Sequence, residues 1–203
     1  MYLLGASGHA KVIIEILEAC DIAVSGLFDD NQAIRDLLGY KFLGSFTGSP
    51  LDEPMIISIG NNMIRHRLAN QYPVKYGQAI EPSAKISTRA SIGCGTVIMR
   101  NVSINSDTRI GSHVIINTSA TVDHDCVIED FVHISPNATL CGGVTIGEGT
   151  HVGAAAIVTP CIHIGKWSVI GAGAVVISDI PDYATVVGNP AKIIRIQNPF
   201  TKE

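Results

Sequence analysis

The chain has 203 residues, 46% of them apolar, and a net charge of −4. That balance supports a packed core in one large or two small domains and excludes wholesale disorder. With no Lys/Arg cluster, it also argues against nucleic acid or an anionic membrane as the main partner. No apolar run reaches transmembrane length, and the start "MYLLGASGHAK" lacks the basic and apolar regions of a signal peptide. Five dispersed cysteines without a CxxC pair read as reduced thiols, so a cytoplasmic protein is expected.

Residues 1–76 are predicted to form a small Rossmann-like module with a parallel sheet. "MYLLGASGHAKVIIEILEA" reads as a strand, a glycine turn and a helix with Val12, Ile13, Ile16 and Leu17 on one face. "AVSGLF" is a second strand ending at Asp29 and Asp30; "PMIISIG" is a third, ending at Gly60, Asn61 and Asn62 before the helical "MIRHRLANQY". Parallel sheets bind ligands at the carboxyl ends of their strands, where these polar clusters fall. Gly5 and Gly8 in "GASGH" would let backbone approach a phosphate at the start of the helix. Asp29 and Asp30 stand about where an acidic residue meets a ribose or a base. The same residues also fit a tight turn with a solvated acidic corner.

Residues 80–203 form the second predicted domain. From Ile80 to Val176 an aliphatic residue recurs every six positions, 17 hexads without an insertion. Four residues after each stands Ala, Thr, Ser, Cys, Val or Ile; Gly, Asn, Asp or Glu often follows the aliphatic directly, as in "IGCGTV" and "IGEGTH". Six residues suit a short strand plus a corner, so three hexads make one triangular coil of a parallel β-helix. The aliphatic fills the prism, the compact residue helps fill the corner, and Gly or Asn takes the turn.

His124 is the third residue of the hexad that begins at Val122, so its side chain is expected to leave the prism. Asp123 and Asp125 flank it. A carboxylate beside an imidazole is what general-base catalysis asks for, and it is also what a solvated turn looks like. His133 is predicted at a corner, 18 residues below His151, with Ile115 and Val169 flanking the pair. That column supplies no third ligand, so no metal is expected. His113 and His163 are expected at the surface.

Across residues 80–181 the repeat resembles the hexapeptide-repeat family, the left-handed β-helix acyltransferases. "GASGHAKVI", "FDD", "ISIGNN", the hexads and "GNPAK" together resemble the NeuD-type sugar O-/N-acyltransferase family. Within it, the chain is most similar to the PglD-like UDP-4-amino-sugar N-acetyltransferases of surface-glycan biosynthesis. The resemblance implies a homotrimer with active sites between subunits and acetyl-CoA as co-substrate. It implies His124 as general base, oriented by Asp125 in the family's pattern, with Asp123 able to substitute. It places Gly8 and His9 near the diphosphate, Asp29 and Asp30 near the nucleoside, and Gly60, Asn61 and Arg65 near the nucleotide or sugar. It assigns Asn117 and His133 to the cleft and the Gly142 amide to the thioester oxygen. Gly153, Ala154, Ala172, Pro190 and Lys192 would meet coenzyme A. Two alternatives stay open: O-acetylation of a sugar such as sialic acid, and a non-catalytic nucleotide-sugar-binding scaffold, which has no use for His124 or "GNPAK".

Overall fold

The computed structural model describes residues 1–201; residues 202 and 203, the end of the second predicted domain, lie outside the described residues. Strands β1 (Tyr2–Leu4), β2 (Gly26–Phe28) and β5 (Met55–Ile57) form a parallel sheet in the order β2–β1–β5. Helices α1 (Gly8–Ala19) and α2 (Asn62–Gln71) follow β1 and β5. A small hairpin, β3 (Asp36–Leu37) with β4 (Tyr40–Lys41), lies outside the sequence expectation. Two-residue strands are too short to leave a periodic signal.

Helix α1 is apolar over more than the one expected face. Ala10, Ile13, Ile14, Ile16 and Leu17 are all buried. The reason is its position between two surfaces. It packs with Leu3, Leu27 and Ile56 of the sheet and with Ala79, Val97, Met99 and Ile115 of the solenoid. Its polar stripe is confined to the exposed Lys11, Glu15 and Glu18.

Seventeen two-residue strands, β6 (Ala79–Ile80) to β22 (Val175–Val176), build the solenoid. Each pairs in parallel with the strand 18 residues away, as Ser103 with Thr121 and Thr121 with Thr139. The strands fall into three sheets, the faces of a triangular prism. Face 1 carries Ile98, Ile116, Ile134 and Val152; face 2 carries Ile104, Val122, Leu140 and Val158; face 3 carries Ile110, Ile128, Ile146 and Ile164. All these aliphatics are buried in one cluster with the compact residues Ala120, Cys126, Val132 and Ala138. Strand β23 (Ala184–Val187) extends face 1, and β24 (Lys192–Ile196) returns antiparallel to it. Among the described residues no helix is long and apolar enough to cross a membrane.

The turn chemistry departs from expectation. The left-handed residue is not the one after the aliphatic but the third: from Gly95 to Gly173 every such position has φ between 53° and 71°. Asn, Asp and Gly occupy many of them, as left-handed backbone favours, yet His113, Phe131 and Trp167 adopt it too. The glycine directly after the aliphatic answers a different demand, the closeness of the next coil. A Cβ on Gly147 would lie 2.6 Å from Lys166 N, and one on Gly153 2.6 Å from Ala172 N.

The two glycine classes predict different costs. Gly147→Ala forces two coils apart and should lower unfolding free energy by about 2–3 kcal/mol. Gly173, at φ 67°, has nothing within 4 Å of the place a methyl group would take. Its substitution by Ala should cost about 1 kcal/mol, the left-handed backbone alone. Urea denaturation measures both; equal midpoints would refute the distinction.

Candidate active site

The two modules are joined by a buried cation. Arg65, on α2, is 1% exposed, and among the described residues no carboxylate pairs with it. Its Nε donates to His113 O at 2.7 Å, Nη1 to Ile59 O at 3.1 Å and Gly60 O at 3.3 Å, and Nη2 to Phe131 O at 2.8 Å and Asn62 Oδ1 at 2.9 Å. Asn62 in turn donates to Gly149 O at 3.0 Å. Five fixed donors matched to oxygens, four of them peptide carbonyls, satisfy a guanidinium where an unpaired charge is otherwise costly. The sequence expectation that Arg65 contacts nucleotide or sugar is therefore corrected: every arm is engaged in the junction.

Around it, burial keeps the histidines neutral. Desolvation first, and then the Arg65 charge, pulls His9 and His113 down to about 4. Desolvation with His151, Arg65 and His9 takes His133 to about 3. His113 is not the expected surface residue: it is 5% exposed, its ring 5.2 Å from Phe131 in a parallel stack. Nor is His133 at a corner. It belongs to a face 1 strand, paired with His151, and is covered because the N-terminal module packs on that face. Asn117 Oδ1 accepts the Thr118 N–H at 2.8 Å, so its Nδ2 donates to His133 Nε2 at 3.1 Å. The His133 proton then sits on Nδ1, whose nearest acceptor is the Gly60 backbone; neither it nor His9 Nε2 has a partner within hydrogen-bond distance among the described residues.

At the carboxyl end of the sheet, the N-cap Ser7 makes no side-chain capping bond and the first turn of α1 has no acidic residue. Gly8 is open, with nothing within 4 Å of a Cβ position. Gly5, by contrast, is a packing glycine at φ 111°, where a Cβ would lie 2.7 Å from Ile59 Cγ1. Asp29 is already engaged: Oδ2 accepts the Ala6 N–H at 2.7 Å and Oδ1 the Asn31 N–H at 2.9 Å. Asp30 lines the same cleft with Phe46, Arg67 and Tyr72. Asn61 caps α2, its side chain accepting from Ile64 N at 3.0 Å, and Gly60 lies beside it on a second cleft that reaches His151 and Trp167.

His124 stands at the corner between faces 2 and 3, its side chain 60% exposed. Asp125 Oδ2 meets Nδ1 at 2.7 Å, while Asp123 Oδ1 accepts the His124 backbone N–H at 2.8 Å. The Asp125 bond, then the Asp123 charge, raises the imidazole above its ordinary value. One coil on, Gly142 lies directly against the ring: a Cβ there would be 2.6 Å from His124 Cε1 and 2.7 Å from Nε2. Its N–H has no acceptor among the described residues. One coil back, a groove of about 580 Å³ is lined by Lys85, Ser87, Ser103, Asn105, Ser106 and His124. Asn105 is a residue the sequence reading missed. Its position 18 before Asp123, to which it donates at 2.7 Å, was the available signal.

The residues expected to meet coenzyme A do not share that corner. Gly153, Ala154 and Ala172, like the expected cleft residue Asn117, follow face 1 strands, at the corner between faces 1 and 2. The "GNPAK" turn joins them there, with Ala191 N bonded to Val175 O at 2.8 Å. Ala154, Ala172, Pro190 and Lys192 are exposed. Gly153 is buried and is corrected to a spacing residue. Within one chain, the His124–Gly142 corner and the coenzyme corner flank opposite edges of face 2. His163 is exposed as expected, and no group of three or more potential metal ligands occurs among the described residues.

Comparison with known proteins adds to this geometry. Residues 1–72 match the PglD N-terminal domain and residues 125–160 the bacterial transferase hexapeptide repeats. UDP-N-acetylbacillosamine N-acetyltransferase of Bacillus subtilis is 43% identical over 111 residues, 48% of this chain and 50% of that one. The chain spans half or less of the length of the curated relatives it matches. Among solved structures, PerB of Caulobacter crescentus, in complex with CoA and GDP-perosamine, is 37% identical over 95% of both chains, with a TM-score of 0.90. The PglB acetyltransferase domain of Neisseria gonorrhoeae, in complex with acetyl coenzyme A, is 35% identical over 95% of this chain and 98% of that one, with a TM-score of 0.89. The parallel-sheet module followed by a left-handed β-helix is thus the fold of these acetyltransferases.

The buried histidines predict acid sensitivity. Their folded values lie below the ordinary 6.5, so the unfolded chain takes up protons first and stability falls as pH drops from about 6.5 toward 4. His113→Phe keeps the stack and removes one titration. Urea unfolding across that range should show a shallower slope for the variant; an unchanged slope would refute the assignment.

Proposed function

Since the chain belongs to the hexapeptide-repeat sugar N-acetyltransferase family, we propose that it transfers the acetyl group of acetyl-CoA to the amino group of a nucleotide-linked 4-amino-sugar. The observation that carries this reading is the corner at His124: a ring held at Nδ1 by Asp125, with Nε2 beside an open groove and a free Gly142 N–H.

The chemistry follows from those atoms. The acceptor nitrogen attacks the thioester carbonyl carbon, and His124 Nε2 takes its proton. Asp125 stabilises the imidazolium that forms, as in a catalytic triad. The Gly142 N–H receives the developing oxyanion, and the thiolate leaves. Gly8 and His9 take the diphosphate at the open start of α1, where the helix dipole favours an anion. Asp30 lies on the nucleoside side; Asp29 holds the turn that presents it. UDP is the first nucleotide to test, as in the Bacillus enzyme's substrate. GDP is the second, because PerB was solved with GDP-perosamine.

Three-fold assembly is part of the proposal. A single prism leaves the base exposed, and water exclusion needs a second surface. The two half-sites flank face 2, where Ile157 is 42% exposed. A closed trimer would bring the His124 corner of one chain against the coenzyme corner of the next.

Thiol release across UDP-, GDP- and dTDP-linked amino-sugars tests the activity, and no turnover on any of them would sink it. His124→Ala should lower kcat by about 10²–10⁴-fold with acetyl-CoA binding unchanged. Because the base acts neutral, kcat/KM falls as pH drops through its pKa. Asp125→Asn removes the main cause of the upward shift, so that acid limb should move to lower pH; a limb that stays in place would remove Asp125 from the role.

Cross-subunit complementation tests the assembly. A Cβ at Gly8 meets nothing within 4 Å, so Gly8→Trp should be accommodated and block the nucleotide. Co-expressed with His124→Ala, and isolated as mixed trimers through two affinity tags, it should regain activity that neither variant has alone. Mixed trimers as inactive as both parents would place loop and base in one chain's site.

A further inference from the structure

Asp123 and Asp125 bracket the His124 ring but are not equivalent. Asp125 Oδ2 holds Nδ1 at 2.7 Å, whereas Asp123 Oδ2 lies 4.0 Å from Nε2, the nitrogen left for the acceptor. Asp123 Oδ1 accepts two bonds, from Asn105 Nδ2 at 2.7 Å and the His124 backbone N–H at 2.8 Å. Those bonds fix the side chain and leave Oδ2 without a hydrogen bond among the described residues. They also hold the carboxyl below its ordinary range, the Asn105 bond foremost, so it is ionised at neutral pH. Asn105 lines the groove beside His124 as well. A structural turn needs Oδ1 only.

Resting on the acetyltransferase reading above, we propose that Asp123 docks the acceptor as its ammonium ion and thereby selects an amine over a hydroxyl, with Asn105 as its positioning residue. A sugar amine is largely protonated at neutral pH. Held by Asp123 Oδ2, the ammonium passes one proton to neutral His124 Nε2, which releases it to solvent. The neutral nitrogen then attacks the thioester carbon; the N–C bond forms and the C–S bond breaks. His124 takes the second N–H proton and delivers it to the departing thiolate. The ammonium and acetyl-CoA thus yield the amide, CoA thiol and one proton. A hydroxyl acceptor carries no charge, so the free Asp123 oxygen offers it only an ordinary hydrogen bond, weaker than a charge-assisted one.

The test uses Asp123→Asn, which preserves shape and the Oδ1 acceptor. Thiol release gives KM for the nucleotide-linked amino-sugar, and competition gives Ki for its 4-hydroxy analogue. The variant should raise the amino-sugar KM about ten- to a hundredfold, while the hydroxy analogue's Ki, the acetyl-CoA KM and the melting temperature stay constant. An unchanged amine KM, or equal losses for both sugars, overturns the assignment while leaving the acetyltransferase reading intact. A wild-type protein that acetylates no amino-sugar overturns that reading and this one with it. If Asp123→Asn does not fold, Asn105→Ala replaces it. Without that donor the Asp123 side chain is no longer fixed, so the amine KM should rise while the hydroxy analogue's Ki stays constant; an unchanged amine KM, or equal losses for both sugars, overturns the proposal.

Discussion

Everything in the second module hangs on one spacing, the bond between residue n and residue n + 18 on the next coil. Backbone pairing sets coils about 4.8 Å apart, and no insertion relieves that closeness between Ile80 and Val176. Side chains in one column must therefore fit each other. Where an aromatic takes a left-handed corner, the residue one coil below is often glycine: the His113 ring lies over Gly95 and the Trp167 ring over Gly149. The proposed active site obeys the same rule, since Asn105, Asp123 and Cys141 share one column and His124 and Gly142 the next. A coil that stacks identical positions turns sequence spacing directly into side-chain contact.

Charge is distributed in two regimes. At the junction, Arg65 is buried without a carboxylate and its neighbours His9, His113 and His133 are held neutral. Peptide oxygens carry most of the compensation, so the cation adds rigidity without an acidic partner that would repel an anionic ligand. Its field reaches His9 at the open start of α1. At the outer corner the opposite holds. His124 is solvated and flanked by carboxylates, which raise its pKa above the ordinary imidazole value. A proton carrier needs such a site; a structural histidine needs the other.

On the proposed reading the single chain presents two incomplete half-sites rather than one complete site. The convex prism has no place for the base to hide, and its two functional corners lie along opposite edges of face 2. The coils leave the groove beside His124 open, so on the proposed reading its closure has to come from the N-terminal module or from another copy.

How much of this was legible in the sequence follows from what each signal depends on. The hexad period, the inward aliphatics, the α/β module and the outward His124 were readable because each arises from local spacing, and backbone geometry converts spacing into direction without further information. The errors share another origin. Arg65 and His113 were misread because their environments come from a module more than 40 residues away, and the second apolar face of α1 was missed because the solenoid covers it. The turn glycines were misassigned because the period alone does not say which of two nearby corner residues turns and which makes room. Which carboxylate holds the imidazole was also undecided, since Asp123 and Asp125 are equally near in sequence. The left-handed backbone at Asp125 and the bond from Asn105 to Asp123 separate them. Sequence by itself determined the coil and the outward direction of its polar residues; tertiary structure alone decided which were buried, which were already bonded and which were left free, because burial and partnership are set by what packs on a surface.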